Sequence, residues 1–87
     1  IGEAASRSDR AGVMAAVLAL PQVTGVGRLL TMHMGPQRIL VNIEVDFQND
    51  LDGEDVEQAI DLVESAIRAA LPNADNIFVE LETVKRG

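Results

Sequence analysis

Apolar residues recur along this chain at two periods, and each period marks a kind of element. From Arg38 to Phe47 they alternate strictly. Ile39, Val41, Ile43, Val45 and Phe47 face one way, while Leu40, Asn42, Glu44 and Asp46 face the other. That pattern predicts a half-buried strand. A preceding strand runs from Val26 to Met34, with Leu30, Met32 and Met34 on one face and Leu29, Thr31 and His33 on the other. Gly35-Pro36 separates the two as a hairpin tip, because proline cannot donate to the ladder. Asn76 to Val84 gives a third strand, with Ile77, Val79 and Leu81 opposite Phe78, Glu80 and Glu82. Thr24-Gly25 is a turn signal ahead of the first strand.

The other period is helical. Val13, Val17 and Leu20 recur at i, i+4, i+7, which predicts a helix capped by Ser8 or Asp9 and ended by Pro21. Val56, Ile60, Val63 and Ile67 line one face of a second helix. Asp52 is its N-cap, with Asp55 three residues on, and Leu51 and Val56 are spaced as a hydrophobic staple. Leu71-Pro72-Asn73 stops it.

The order α-β-β-α-β predicts an α+β, ferredoxin-like fold, with two helices on one face of a three-stranded mixed sheet. Residues 1–7 read as a linker and residues 8–87 as the domain. The sheet's other face is left without a covering layer. On this reading it carries Leu29, Leu40 and Phe78 beside Thr31, Asn42, Glu44, Glu80 and Glu82. A mixed apolar and acidic face predicts a contact surface, and a homodimer is the commonest way to use one.

Composition narrows the partners. The 87 residues carry 14 acidic and 7 basic side chains, a net charge of −7, which disfavours nucleic acid as a partner. Aromatics are 2% of the chain, so it offers no platform for stacking bases. There is no cysteine, which removes disulfides and thiolate chemistry. No stretch reaches the roughly 18 apolar residues of a membrane span, so this piece is expected to be soluble. A start at Ile1, without Met, predicts a piece of a longer chain.

Candidate chemistry is sparse. A Ser-His-Asp arrangement would have to join Ser65, in mid-helix, to His33 on a strand, so no enzyme is expected. Gly25-Val26-Gly27 precedes a strand and therefore reads as a turn, not a phosphate loop. Met32 and Met34 flank His33 but point away from it, and are expected to fill the core. Glu80 and Glu82 lie on one strand face about 7 Å apart, as hard metal ligands or as a solvated outer face.

Taken in order, several segments resemble one family. Leu20-Pro21-Gln22-Val23-Thr24-Gly25-Val26 is similar to the helix-to-strand junction of cation diffusion facilitator C-terminal domains. The hairpin from Thr31 to Val41, with Met34-Gly35-Pro36 at its tip, resembles that of the family. So do Val63 to Arg68, Leu71-Pro72 and Ile77-Phe78-Val79-Glu80, while Ile1-Gly2-Glu3-Ala4 resembles the segment leaving the last transmembrane helix. The resemblance implies a metallochaperone-like fold and a regulatory, dimerising role at the cytoplasmic face of the cell membrane. The transporter implied exports divalent cations of the Zn, Fe or Mn type by proton antiport, and the domain's partners would be a second copy and its own transmembrane part.

In metal-binding members, histidines stand at places that here hold Gly27, Asn42, Glu57 and Glu80, and Glu82 matches a nearby carboxylate ligand. The resemblance thus implies a divalent cation at the dimer interface, held by Asn42, Glu57, Glu80 and Glu82. Zinc prefers nitrogen and sulfur donors, whereas this oxygen set suits a harder ion such as Mn²⁺, or no ion at all and a metal-free dimer interface. The alternative is a free-standing ferredoxin-like dimer that binds a small ligand. An acylphosphatase-like enzyme would need a first strand that this order lacks.

Overall fold

A computed structural model describes residues 3–82. Its elements are α1 (Arg7–Leu18), β1 (Val23–Gly35), β2 (Arg38–Phe47), α2 (Gly53–Ala70) and β3 (Ala74–Leu81). The sheet order is β1-β2-β3. β1 and β2 are antiparallel, and β2 and β3 are parallel, joined through α2. The expected α-β-β-α-β fold and mixed sheet are therefore present. Residues Thr83 and Val84, expected to end the last strand, lie outside the described residues.

β2 is the central strand and the clearest product of its sequence. Ile39, Val41, Ile43, Val45 and Phe47 are all buried, and the four residues between them are half-buried. Val13 and Val17 of α1 and Ala59, Val63 and Ile67 of α2 pack onto this one face. Each fully buried Val or Ile contributes about 1.5–3 kcal/mol relative to exposure. With so little aromatic content, this aliphatic layer is what holds the domain.

α2 starts as predicted. The Asp52 side chain accepts the Asp55 N–H at 2.8 Å, and Glu54 and Asp55 in the first turn complement the helix dipole. Leu71 leaves helical geometry, and Pro72 prevents continuation. α1 starts earlier than expected. Its N-cap is Ser6, whose hydroxyl accepts the Asp9 N–H at 3.0 Å, and it ends at Leu18, before Pro21.

β1 departs most from its expected form. It begins at Val23, so Thr24-Gly25 lies within the strand, where the pairing has an irregularity. A second shift falls between Val26 and Leu29, where Gly27 and Arg28 together oppose Glu44. Pairing with β2 then decides which face is inside. Leu29 sits beside Ile43 and Thr31 beside Val41, so both turn into the core, at 5% exposure each. Leu30, Met32 and Met34 turn to the uncovered face instead. The assignment of the two methionines to the core, and of Leu29 and Thr31 to the open face, is thereby corrected.

The hairpin closes through Pro36-Gln37, with Gln37 at φ 62°. Proline followed by a positive φ is the arrangement of a type II turn, where glycine is the unstrained choice at the second position.

Candidate functional site

Among the described residues, no helix covers the second sheet face. Its rows follow from the register. Met32 and Leu40 form one row, Leu30, Asn42 and Phe78 the next, and Glu44 and Glu80 the third. Asp46, opposite Gly25, and Glu82, just past β3, lie beyond the third row, and the Glu82 N–H is tied to the Val45 carbonyl at 2.9 Å. The face therefore divides along the strands. Its hairpin end is apolar and exposed: Leu30 is 40%, Met32 51%, Met34 48% and Phe78 50% accessible. Its other end carries four carboxylates.

The bulge in β1 shapes the acidic end. It leaves the Arg28 N–H free to donate to Glu44 Oε1 at 2.9 Å. It also places Gly27 beneath two carboxylates. A Cβ at Gly27 would stand 2.9 Å from Glu44 Oε1 and closer still to Glu82 Oε1. The missing side chain thus lets one carboxylate from β2 and one from beside β3 meet above β1. The ion pairs among the described residues, Arg10–Glu3, Arg38–Asp75 and Arg68–Glu64, involve none of the four carboxylates. Like charges held together, with no ion pair to them among the described residues, attract cations to this end of the face.

Of the residues implied as metal ligands, Asn42, Glu80 and Glu82 share this face. Glu57 does not join them: it is exposed on the first turns of α2, which packs against the opposite face. Helix α2 packs its apolar stripe on the core side of the sheet, away from the open face. Among the described residues, no group of three or more His, Cys, Asp or Glu is assembled closely enough to hold a metal within one chain. Glu44 was not among the implied ligands, yet it lies between Gly27 and Glu80. The signal was available: Glu44 shares the polar parity of β2 with Asn42. His33 is exposed near the hairpin tip, at the far end from the carboxylates.

A different polar cluster holds the start of the described chain. Glu3 Oε2 accepts both the N–H and the hydroxyl of Thr31, each at 2.7 Å, and pairs with Arg10 Nη1 at 3.0 Å. The Thr31 hydroxyl accepts the Ala5 N–H at 3.1 Å. Hydrogen bonds from Thr31, with a lesser contribution from Arg10, hold the Glu3 carboxyl below its usual range. Among the described residues, no helix is long and apolar enough to cross a membrane.

The fold has counterparts among known proteins. A nickel form of a MamM CTD variant superposes with a TM-score of 0.79 at 19% identity, covering 92% of this chain and 100% of its own. A cadmium form gives 0.78 at 18% identity, covering 91% and 98%. A copper form gives 0.77 at 18% identity, covering 90% and 96%. At such identities the likeness establishes the fold. No curated protein is similar enough to match. The sequence pattern of the family described as "Cation efflux protein, cytoplasmic domain" matches residues 5–84, nearly the whole chain. The chain belongs to that family: it is a cytoplasmic domain of a cation diffusion facilitator transporter.

Proposed function

We propose that this domain pairs with a second copy through the uncovered sheet face and so couples two transporter subunits, without catalysing a reaction itself. The observation that carries this reading is the face's division into an apolar end and an acidic end. Leu30, Met32, Leu40 and Phe78 supply the area that pairing would remove from water. Glu44, Asp46, Glu80 and Glu82 repel their counterparts on an approaching copy, so a divalent cation bound there favours closure. Asn42, Glu44, Glu80 and Glu82 are the ligands of that site in this proposal, and Glu57 takes no part in it within the chain. All their donors are oxygen, which favours Mn²⁺ over Zn²⁺. The MamM CTD forms named for nickel, cadmium and copper support metal contact by a domain of this shape.

In the same reading the domain stands at the cytoplasmic face of the membrane, joined to its own transmembrane part. That part exports a divalent cation of the Zn, Fe or Mn type in exchange for protons. The family membership supports this placement, and the net charge of −7 argues against nucleic acid as a partner.

Sedimentation of the chain at about 100 μM, well above a micromolar dissociation constant, tests the pairing. A species of doubled mass is expected, tightened by Mn²⁺. A monomer under every condition, with and without Mn²⁺ or Zn²⁺, would remove the proposal.

A further inference from the structure

Among the described residues β1 is an edge strand, with β2 as its hydrogen-bonded strand neighbour. Such an edge leaves alternate N–H and C=O groups without a ladder partner. At Thr31 both are taken, by residues that belong to no strand. The Thr31 N–H donates to the Glu3 carboxylate at 2.7 Å, and its carbonyl accepts the Ala4 N–H at 3.3 Å. The Thr31 hydroxyl, buried with its residue at 5% exposure, spends its proton on Glu3 and a lone pair on the Ala5 N–H. Every polar group of this buried threonine is thus satisfied by residues 3–5.

The same short segment is anchored at its other end. Ala5 is buried in the core, and Ser6 caps α1 through its hydroxyl while its carbonyl accepts the Arg10 N–H at 2.9 Å. Arg10 on α1 returns to Glu3 as an ion pair, which closes a loop of contacts between α1, the segment and β1. Among the described residues, the charged group that pairs with Glu3 is Arg10 of α1, while β1 offers it the neutral Thr31.

Thr31 lies between Leu30 and Met32, whose side chains stand on the opposite side of the sheet, at the apolar end of the open face. We infer that residues Glu3–Ser6 are a strap that sets the order of this part of β1 and thereby controls pairing through the open face. The inference rests on the pairing proposed above. With the strap docked, β1 is supported on both edges at Thr31, and Leu30 and Met32 are presented in one arrangement. With the strap released, this stretch of edge strand is held by β2 alone, and pairing must supply the ordering that the strap otherwise provides. The linkage is reciprocal: pairing must also hold the strap down.

Three variants of the full chain test it, by amide exchange on a dilute sample and by sedimentation across a concentration series. Glu3→Gln removes the charge that accepts both Thr31 donors. Thr31→Val keeps the branched shape and removes the hydroxyl without altering charge. Glu64→Gln changes net charge as much as Glu3→Gln does but lies in the Arg68 pair on α2, away from the strap. The first two should speed exchange at Ala5 and Thr31 by roughly tenfold, leave β2 and α2 protection unchanged, and weaken self-association several-fold. Glu64→Gln should do neither. Faster exchange with unchanged self-association would overturn the strap's control of pairing while leaving pairing intact. Unchanged exchange in both strap variants would overturn the lock itself. A wild-type chain that stays monomeric would instead bring down the pairing, and this inference with it.

Discussion

Replacing Phe78 by alanine isolates the contribution of the open face. Phe78 is 50% exposed on the edge strand β3, in the row with Leu30 and Asn42. A phenylalanine buries about 150–250 Å² when fully covered, so roughly 100 Å² remains to be removed from water. At about 25 cal/mol per Å² this amounts to about 2.5 kcal/mol, of which alanine retains a small part. A symmetric pair loses the interaction in both copies, so the sum approaches about 4 kcal/mol, or on the order of a thousandfold in dissociation constant. Ordering and desolvation costs offset part of any such area figure, and a weakening of about tenfold to a thousandfold is the expected span. The other half of the ring already lies against the sheet, so the single chain also loses about 1–2 kcal/mol. Thermal unfolding of a dilute sample measures that second loss separately, and sedimentation equilibrium measures the first. If Phe78→Ala folds and its dissociation constant changes less than about threefold, the reasoning that places the interface on this face fails.

Other outcomes follow from particular residues. Gly27→Ala should fold normally, because the atoms its Cβ meets are the ends of flexible Glu44 and Glu82 side chains, but it should push those carboxylates apart and weaken Mn²⁺ binding by calorimetry. Gln37→Gly should raise stability by up to about 1 kcal/mol in urea unfolding, since it relieves a positive φ that glycine adopts freely. Because the folded Glu3 carboxyl is held below its usual value, the strap's contribution is complete above the ordinary glutamate range near about 4.3 and is lost as pH falls through the lowered folded value. The Thr31 amide resonance should report that midpoint, and Glu3→Gln should abolish the titration.

Much of the fold was readable because some residues leave no choice. The strict alternation from Ile39 to Phe47 admits one buried face, and Asp52 with its 4-3-4 apolar stripe admits one helix. β1 was ambiguous for a physical reason. Leu29 and Leu30 are equally apolar, and the parity of the strand is set by its pairing with β2 and by the bulge at Gly27-Arg28, which are long-range features. A threonine facing the core also runs against composition, and it is tenable only because Glu3 and Ala5 satisfy it from 28 and 26 residues away in sequence. Ser6, Ser8 and Asp9 offer the same capping chemistry within four residues, and the Asp9 N–H bond to the Ser6 hydroxyl decides among them. In the site, Glu80 and Glu82 read from the sequence as one strand face, whereas Glu82 lies just past the end of β3 and its carboxylate reaches over Gly27. Glu57 was brought in by resemblance, and its helix places it across the sheet. Glu44 was legible as a residue of the open face from the parity of β2, but its approach to Glu82 above Gly27 depends on the bulge, a long-range feature.

The chain's three methionines offer the most direct test of the central claim, that the open face is where two copies meet. Met32 and Met34 stand exposed on that face, whereas Met14 lies on α1 against the core on the other side of the sheet. With methyl-labelled methionine, the three resonances can be followed as concentration rises through the pairing transition. The account predicts that Met32 and Met34 shift or broaden together while Met14 stays in place. A Met14 that moves while Met32 and Met34 do not would put the interface on the helices and contradict it.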